Sequence, residues 1–82
     1  MSDKKFSSHY QADIIFDGSD GEMKDRQVYG SNFLEFIEKI EEIEKQQGKI
    51  EIWSALYIYG KEVSQIKLKV IETLNIRRKL ND

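Results

Sequence analysis

Three groups of side chains have the types and spacing that chemistry could use. Asp17, Ser19, Asp20 and Glu22 crowd oxygen donors around Gly18 and Gly21. A calcium loop of the helix–loop–helix kind needs oxygen ligands at positions 1, 3 and 5, glycine at 6 and glutamate at 12. Counted from Asp17, position 5 is Gly21, position 6 is Glu22 and position 12 is Val28, so the spacing fails. The stretch reads instead as a hairpin turn, whose glycines supply positive φ and whose short acids bond the local backbone. His9 is the sole histidine and has no second ligand at metal spacing. It is expected at the surface, where a histidine would tune a contact with pH. Arg77-Arg78-Lys79 is a short basic cluster. It could meet phosphate or an acidic partner, and favourable charge at a helix C-terminus explains it equally well.

The third group is aromatic and sits in the stretch Lys49–Gly60, which is dense in β-branched and aromatic residues. That composition predicts a strand. Alternation places Ile50, Ile52, Leu56 and Ile58 on one aliphatic face that only Ser54 interrupts. Trp53, Ala55, Tyr57 and Tyr59 fall on the other. Two apolar faces imply a cover on each side. What covers the aromatic face is the functional question.

The elements that would hold these residues follow from patterning. Residues 6–17 alternate: Phe6, Tyr10, Ala12, Ile14 and Phe16 face one way, and Ser7, His9, Gln11, Asp13 and Asp17 the other, with Ile15 the exception. This is a half-buried strand. Residues 22–29 form a polar edge strand whose apolar contacts are Met23, Val28 and Tyr29; its charges discourage pairing with other chains. Asn32 followed by Glu35 predicts a capped helix start, with the acid able to reach back. Phe33, Phe36, Ile37, Ile40 and Ile43 give that helix one buried stripe, and Gly48 stops it. Residues 63–73 fit a strand better than a helix, because only a strand buries Leu68 beside Ile66 and Val70. The end, from Asn75, reads as a short basic helical turn or a loose tail.

The fold expected is α+β: a ββαββ order, with a four-stranded, mainly antiparallel sheet and one helix over about 32–47 packed on one face. The 82 residues suffice for a single small domain, with 1–5 and 76–82 read as disordered ends. The predicted core holds Tyr10, Ile14, Phe16, Phe33, Phe36, Ile37, Ile40, Ile50, Ile52, Leu56, Ile58, Ile66, Leu68 and Val70. The helix-free face would then display His9, Gln11, Asp13 and Ile15 of the first strand, Trp53, Ala55, Tyr57 and Tyr59 of the organising strand, and Lys67, Lys69 and Ile71 of the last. Its contact residues would be His9, Gln11, Trp53, Tyr57, Tyr59, Lys67 and Lys69.

Composition narrows the function classes. No cysteine is present, which excludes disulfides and thiolate metal sites and fits a reducing cytoplasm. Met1–Lys5 leads into no apolar run long enough for a signal peptide or a membrane span, so a soluble, cytoplasmic protein is expected. Charged residues make up 34% of the chain, and the net charge of -2 opposes field-driven binding to nucleic acid or anionic membrane. That charge is uneven: residues 1–30 sum to -2, residues 31–48 to -3 and residues 49–82 to +3. Catalytic triads, phosphate-binding glycine loops and the ribonucleoprotein aromatic motif are absent. No cofactor, metal or catalytic residue is expected.

The aromatic face therefore points to binding. Trp and Tyr dominate interface hot spots. The occupant could be a second copy, another protein, or a stacked base whose phosphate meets Lys67 and Lys69. A C-terminal helix lying over the aromatics would remove the site altogether. The expectation is a small non-enzymatic protein–protein interaction module, forming a homodimer, a complex with a protein partner, or both. It would suit a bacterial or phage accessory protein that inhibits or adapts a larger partner. The alternative is an oligomeric nucleotide, small-ligand or nucleic-acid binder that uses the same face.

Overall fold

The computed structural model describes residues 9–18 and 20–80. Phe6, Ser7, Ser19 and the expected disordered end at 1–5 lie outside the described residues, as do 81–82 of the end expected at 76–82, whose residues 76–80 are helical instead. The chain runs β1 (His9–Asp17), β2 (Met23–Gly30), α1 (Phe33–Gln47), β3 (Ile50–Tyr59), β4 (Glu62–Gln65) and α2 (Lys67–Leu80). The strands form one sheet in the order β2-β1-β3-β4, and every neighbouring pair is antiparallel. The α+β class and the four-stranded antiparallel sheet are as expected. The element order differs, because a second helix follows β4.

The β1–β2 hairpin closes through backbone. Gly18 N–H donates to the Glu22 carbonyl at 2.8 Å, and Gly21 N–H donates to the Gly18 carbonyl at 3.0 Å. Gly21 takes φ 84°, the left-handed value this turn requires. The Asp20 carboxylate accepts from Glu22 N–H at 3.1 Å and from Lys24 Nζ at 3.4 Å. Those two donors, the backbone one foremost, hold the Asp20 carboxyl below its ordinary value. Its oxygens are thus committed to the turn.

At the start of α1, Asn32 Oδ1 accepts from Glu35 N–H at 2.8 Å. The Glu35 carboxylate reaches back to the Ser31 hydroxyl at 2.9 Å. Gly30 lets this turn press on the end of β2: a Cβ there would meet Phe36 Cβ at 2.7 Å and Phe36 Cα at 2.8 Å. At the other end, Gly48 N–H donates to the Glu44 carbonyl at 2.9 Å with φ 88°.

The expected strand over 63–73 is corrected. Pairing with β3 ends at Gln65, and Ile66 is the hinge. Its N–H still bonds the Ala55 carbonyl at 2.9 Å, while its own carbonyl accepts the helical bond from Val70 N–H at 3.0 Å. Helix wins because Val70 and Leu74, four residues apart, both become fully buried. Leu68, whose burial favoured the strand, is left 74% exposed. Asn75–Leu80, expected as a basic turn or tail, completes α2.

Both helices pack on the same side of the sheet and share one core. It comprises Ala12, Ile14 and Phe16 of β1; Val28 of β2; Phe36, Ile37, Ile40 and Ile43 of α1; Ile50, Ile52 and Ala55 of β3; and Val70 and Leu74 of α2. Ala12 pairs with Ala55 at the centre of the sheet, where small side chains let the helices come close. Arg77 grips Glu41 through two bonds of 2.6 and 3.0 Å, and Arg78 grips Glu44 at 2.9 and 3.3 Å. The basic cluster thereby clamps α2 to α1, and its two arginines are occupied.

Candidate functional site

The geometry of β3 decides which side chains share a face. Asp13 pairs with Ser54, but the next residue, Ile14, pairs with Ile52. Trp53 is the extra residue of a β-bulge. A bulge inserts one residue and so reverses the inside–outside phase of everything beyond it. Before the bulge the even residues Ile50 and Ile52 face the helices; after it, the odd residues Ala55 and Tyr57 do.

This corrects the two-faced reading of the strand. Ile58 and Leu56 are not core; they lie on the helix-free face opposite His9 and Gln11. Tyr57 lies under the helices, its ring 4.9 Å from Tyr10, within a cluster that includes Phe33 and Phe36. Burial, and then the neighbouring Tyr57, push the Tyr10 hydroxyl above its ordinary value. Tyr59 continues on that same side, 59% exposed near the end of β3. Lys67 and Lys69 are on α2, and the Lys69 ammonium sits 4.8 Å from the centre of the Phe33 ring. The seven residues expected on one surface therefore divide. His9, Gln11 and Trp53 are on the open face, while Tyr57, Tyr59, Lys67 and Lys69 are on the helix layer.

The open face can be read in rows from the registers. At one end Met23 pairs with Asp17; next come Asp25, Ile15 and Glu51; then Gln27, Asp13 and Ser54. Tyr29, Gln11, Leu56 and Gln65 make the following row, and His9, Ile58 and Val63 the last. Alternation from Ile52 turns Trp53 to this face, and alternation from Ala55 turns Ser54 the same way. Ser54 Oγ donates to Asp13 Oδ2 at 3.2 Å, which fixes both groups there. Trp53 is 63% exposed, and Met23, Tyr29 and Val63 are also open to solvent.

Lysine and arginine are absent from the strand positions of this face, with Lys49, just before β3, at its edge. Those positions carry the acids Asp13, Asp17, Asp25 and Glu51. The basic residues of β2, Lys24 and Arg26, pair with Phe16 and Ile14 and so point to the helix side. Unbroken alternation along β3 would bury Leu56 and Ile58, and the bulge instead brings them out beside Asp13, whose outward position the alternation of β1 already gave. Ser54 was the available signal: a lone polar residue in an apolar face marks where the phase slips.

Among the described residues no three His, Cys, Asp or Glu side chains converge in a metal-binding arrangement, and no helix is long and apolar enough to cross a membrane. Compared with protein-family models, curated proteins and solved structures, the chain matches none.

Proposed function

We propose that this chain is a non-enzymatic protein–protein interaction module that docks another protein on the open face of its sheet. The observation that carries the reading is an apolar strip, Ile15, Trp53, Leu56, Ile58 and Val63, on the face that neither helix covers. Sheets normally bury such a face against a second layer. Exposed apolar surface framed by polar side chains is the usual mark of a contact site.

Charge favours a different protein over the other occupants. Stacking two copies through this face would bring two sets of Asp13, Asp17, Asp25 and Glu51 together, and like charges across an interface are costly. Nucleic acid brings phosphate, which needs cations, and Lys67 and Lys69 belong to the opposite layer. A small module with one such surface acts by covering part of a larger protein, so inhibition or adaptation is the form its activity takes.

Site-specific photo-cross-linking in the native cell tests this reading. Benzoylphenylalanine at Trp53 should give an adduct heavier than twice the chain. The same group at Leu68, on α2, should give none. An adduct of twice the chain mass, a nucleic-acid adduct, or equal capture from both positions would contradict the proposal.

A further inference from the structure

We infer that the open face recognises an arginine-bearing, basic surface, with a guanidinium stacked on Trp53 between Asp13 and Glu51; the inference rests on the protein-binding reading above. The bulge turns Trp53 outward as an unpaired residue of β3. Glu51 is two residues along the same strand and face, a spacing of about 7 Å. Asp13 lies on the adjacent strand, opposite Ser54, and that hydroxyl holds one carboxylate oxygen at 3.2 Å. Among the described residues neither Asp13 nor Glu51 is in an ion pair. Ile15 sits between Glu51 and Asp25 in the adjoining row, so the acids frame an apolar floor.

Each feature selects for arginine. A cation over the face of an exposed indole is attracted by the ring quadrupole, and the planar guanidinium also stacks. Its fork of donors can reach carboxylates on two sides while the plane stays on the ring. An ammonium is compact and strongly hydrated and gains less from the ring. With four acids and no lysine or arginine among its strand positions, and Lys49 only at its edge, the face repels a phosphate or an acidic protein.

Trp53 is the only tryptophan, so its fluorescence reports the site directly. Blocked hexa-arginine, hexa-lysine and hexa-glutamate peptides and a single-stranded oligonucleotide would be titrated at low salt, with calorimetry in parallel for variants that lack the indole. Hexa-arginine should change the Trp53 emission saturably and bind about threefold to tenfold more tightly than hexa-lysine. Asp13→Asn/Glu51→Gln should weaken it about tenfold, and Trp53→Leu should remove the preference for arginine. Glu38→Gln/Glu42→Gln removes the same charge from the outer side of α1 and should leave affinity unchanged. Equal binding of both cationic peptides, equal weakening by the two acid-to-amide pairs, or binding of the oligonucleotide or hexa-glutamate would overturn the inference. If hexa-arginine fails to bind while cross-linking at Trp53 still captures a partner, the arginine site is wrong and the docking surface stands.

Discussion

At the scale of single residues, short polar side chains do local structural work that pH can probe. Glu35 accepts from the Ser31 hydroxyl and lies 3.7 Å from Lys39 Nζ. The Ser31 bond first, and the Lys39 charge second, hold its carboxyl below the ordinary glutamate value. A depressed folded-state value means the folded state favours the ionised form. The stabilisation is thus full at neutral pH and is lost as pH falls through that depressed value. Glu35→Gln should therefore unfold at lower urea than the parent at neutral pH. The gap should close as pH drops below about 4. A gap that stays constant in acid would show that the Ser31 and Lys39 contacts contribute nothing through charge.

At the scale of elements, β1 and α1 were legible because their inward residues keep one period throughout. β2 was legible from its turn and its polar, edge-like composition, although Met23 and Tyr29 are exposed and only Val28 is buried. Tyr10, Ala12, Ile14 and Phe16 keep a period of two, and Phe36, Ile37, Ile40 and Ile43 keep the helical one. Elements that change character partway were not legible. The strand-to-helix switch at Ile66 is set by which residues reach the core, Val70 and Leu74 rather than Leu68, and that depends on the tertiary packing of α2 against the sheet rather than on local pattern. The bulge in β3 divided the expected site for a similar reason. Four inward residues of β1 must meet four of β3, and the match Phe16–Ile50, Ile14–Ile52, Ala12–Ala55, Tyr10–Tyr57 exists only if one residue is skipped. The bulge makes opposite predictions for two neighbouring aromatics. Trp53→Ala should change stability by no more than about 0.5 kcal/mol, as at an exposed site. Tyr57→Ala, which strips a ring from the Tyr10 cluster, should cost about 2–3 kcal/mol in urea unfolding. The reverse order would place the bulge elsewhere.

At the scale of the whole molecule, the fold is an asymmetric two-layer structure. Both helices share one side of the sheet and are clamped by Arg77–Glu41 and Arg78–Glu44. That arrangement uses the two arginines of α2 internally, and the strand positions of the opposite face carry four acids and no lysine or arginine. The division into a closed helix side and an open sheet side was visible in the sequence. Which aromatics belonged to each side was not, since that depends on register. The central claim is that the Trp53 face is uncovered in the isolated chain and available to a partner. Acrylamide quenching of Trp53 emission tests it most directly, measured over a range of protein concentration and salt. An open face gives quenching close to that of the urea-unfolded chain at every concentration. Quenching several-fold slower in the folded chain, or slowing as concentration rises, would mean the face is already covered and would contradict the claim.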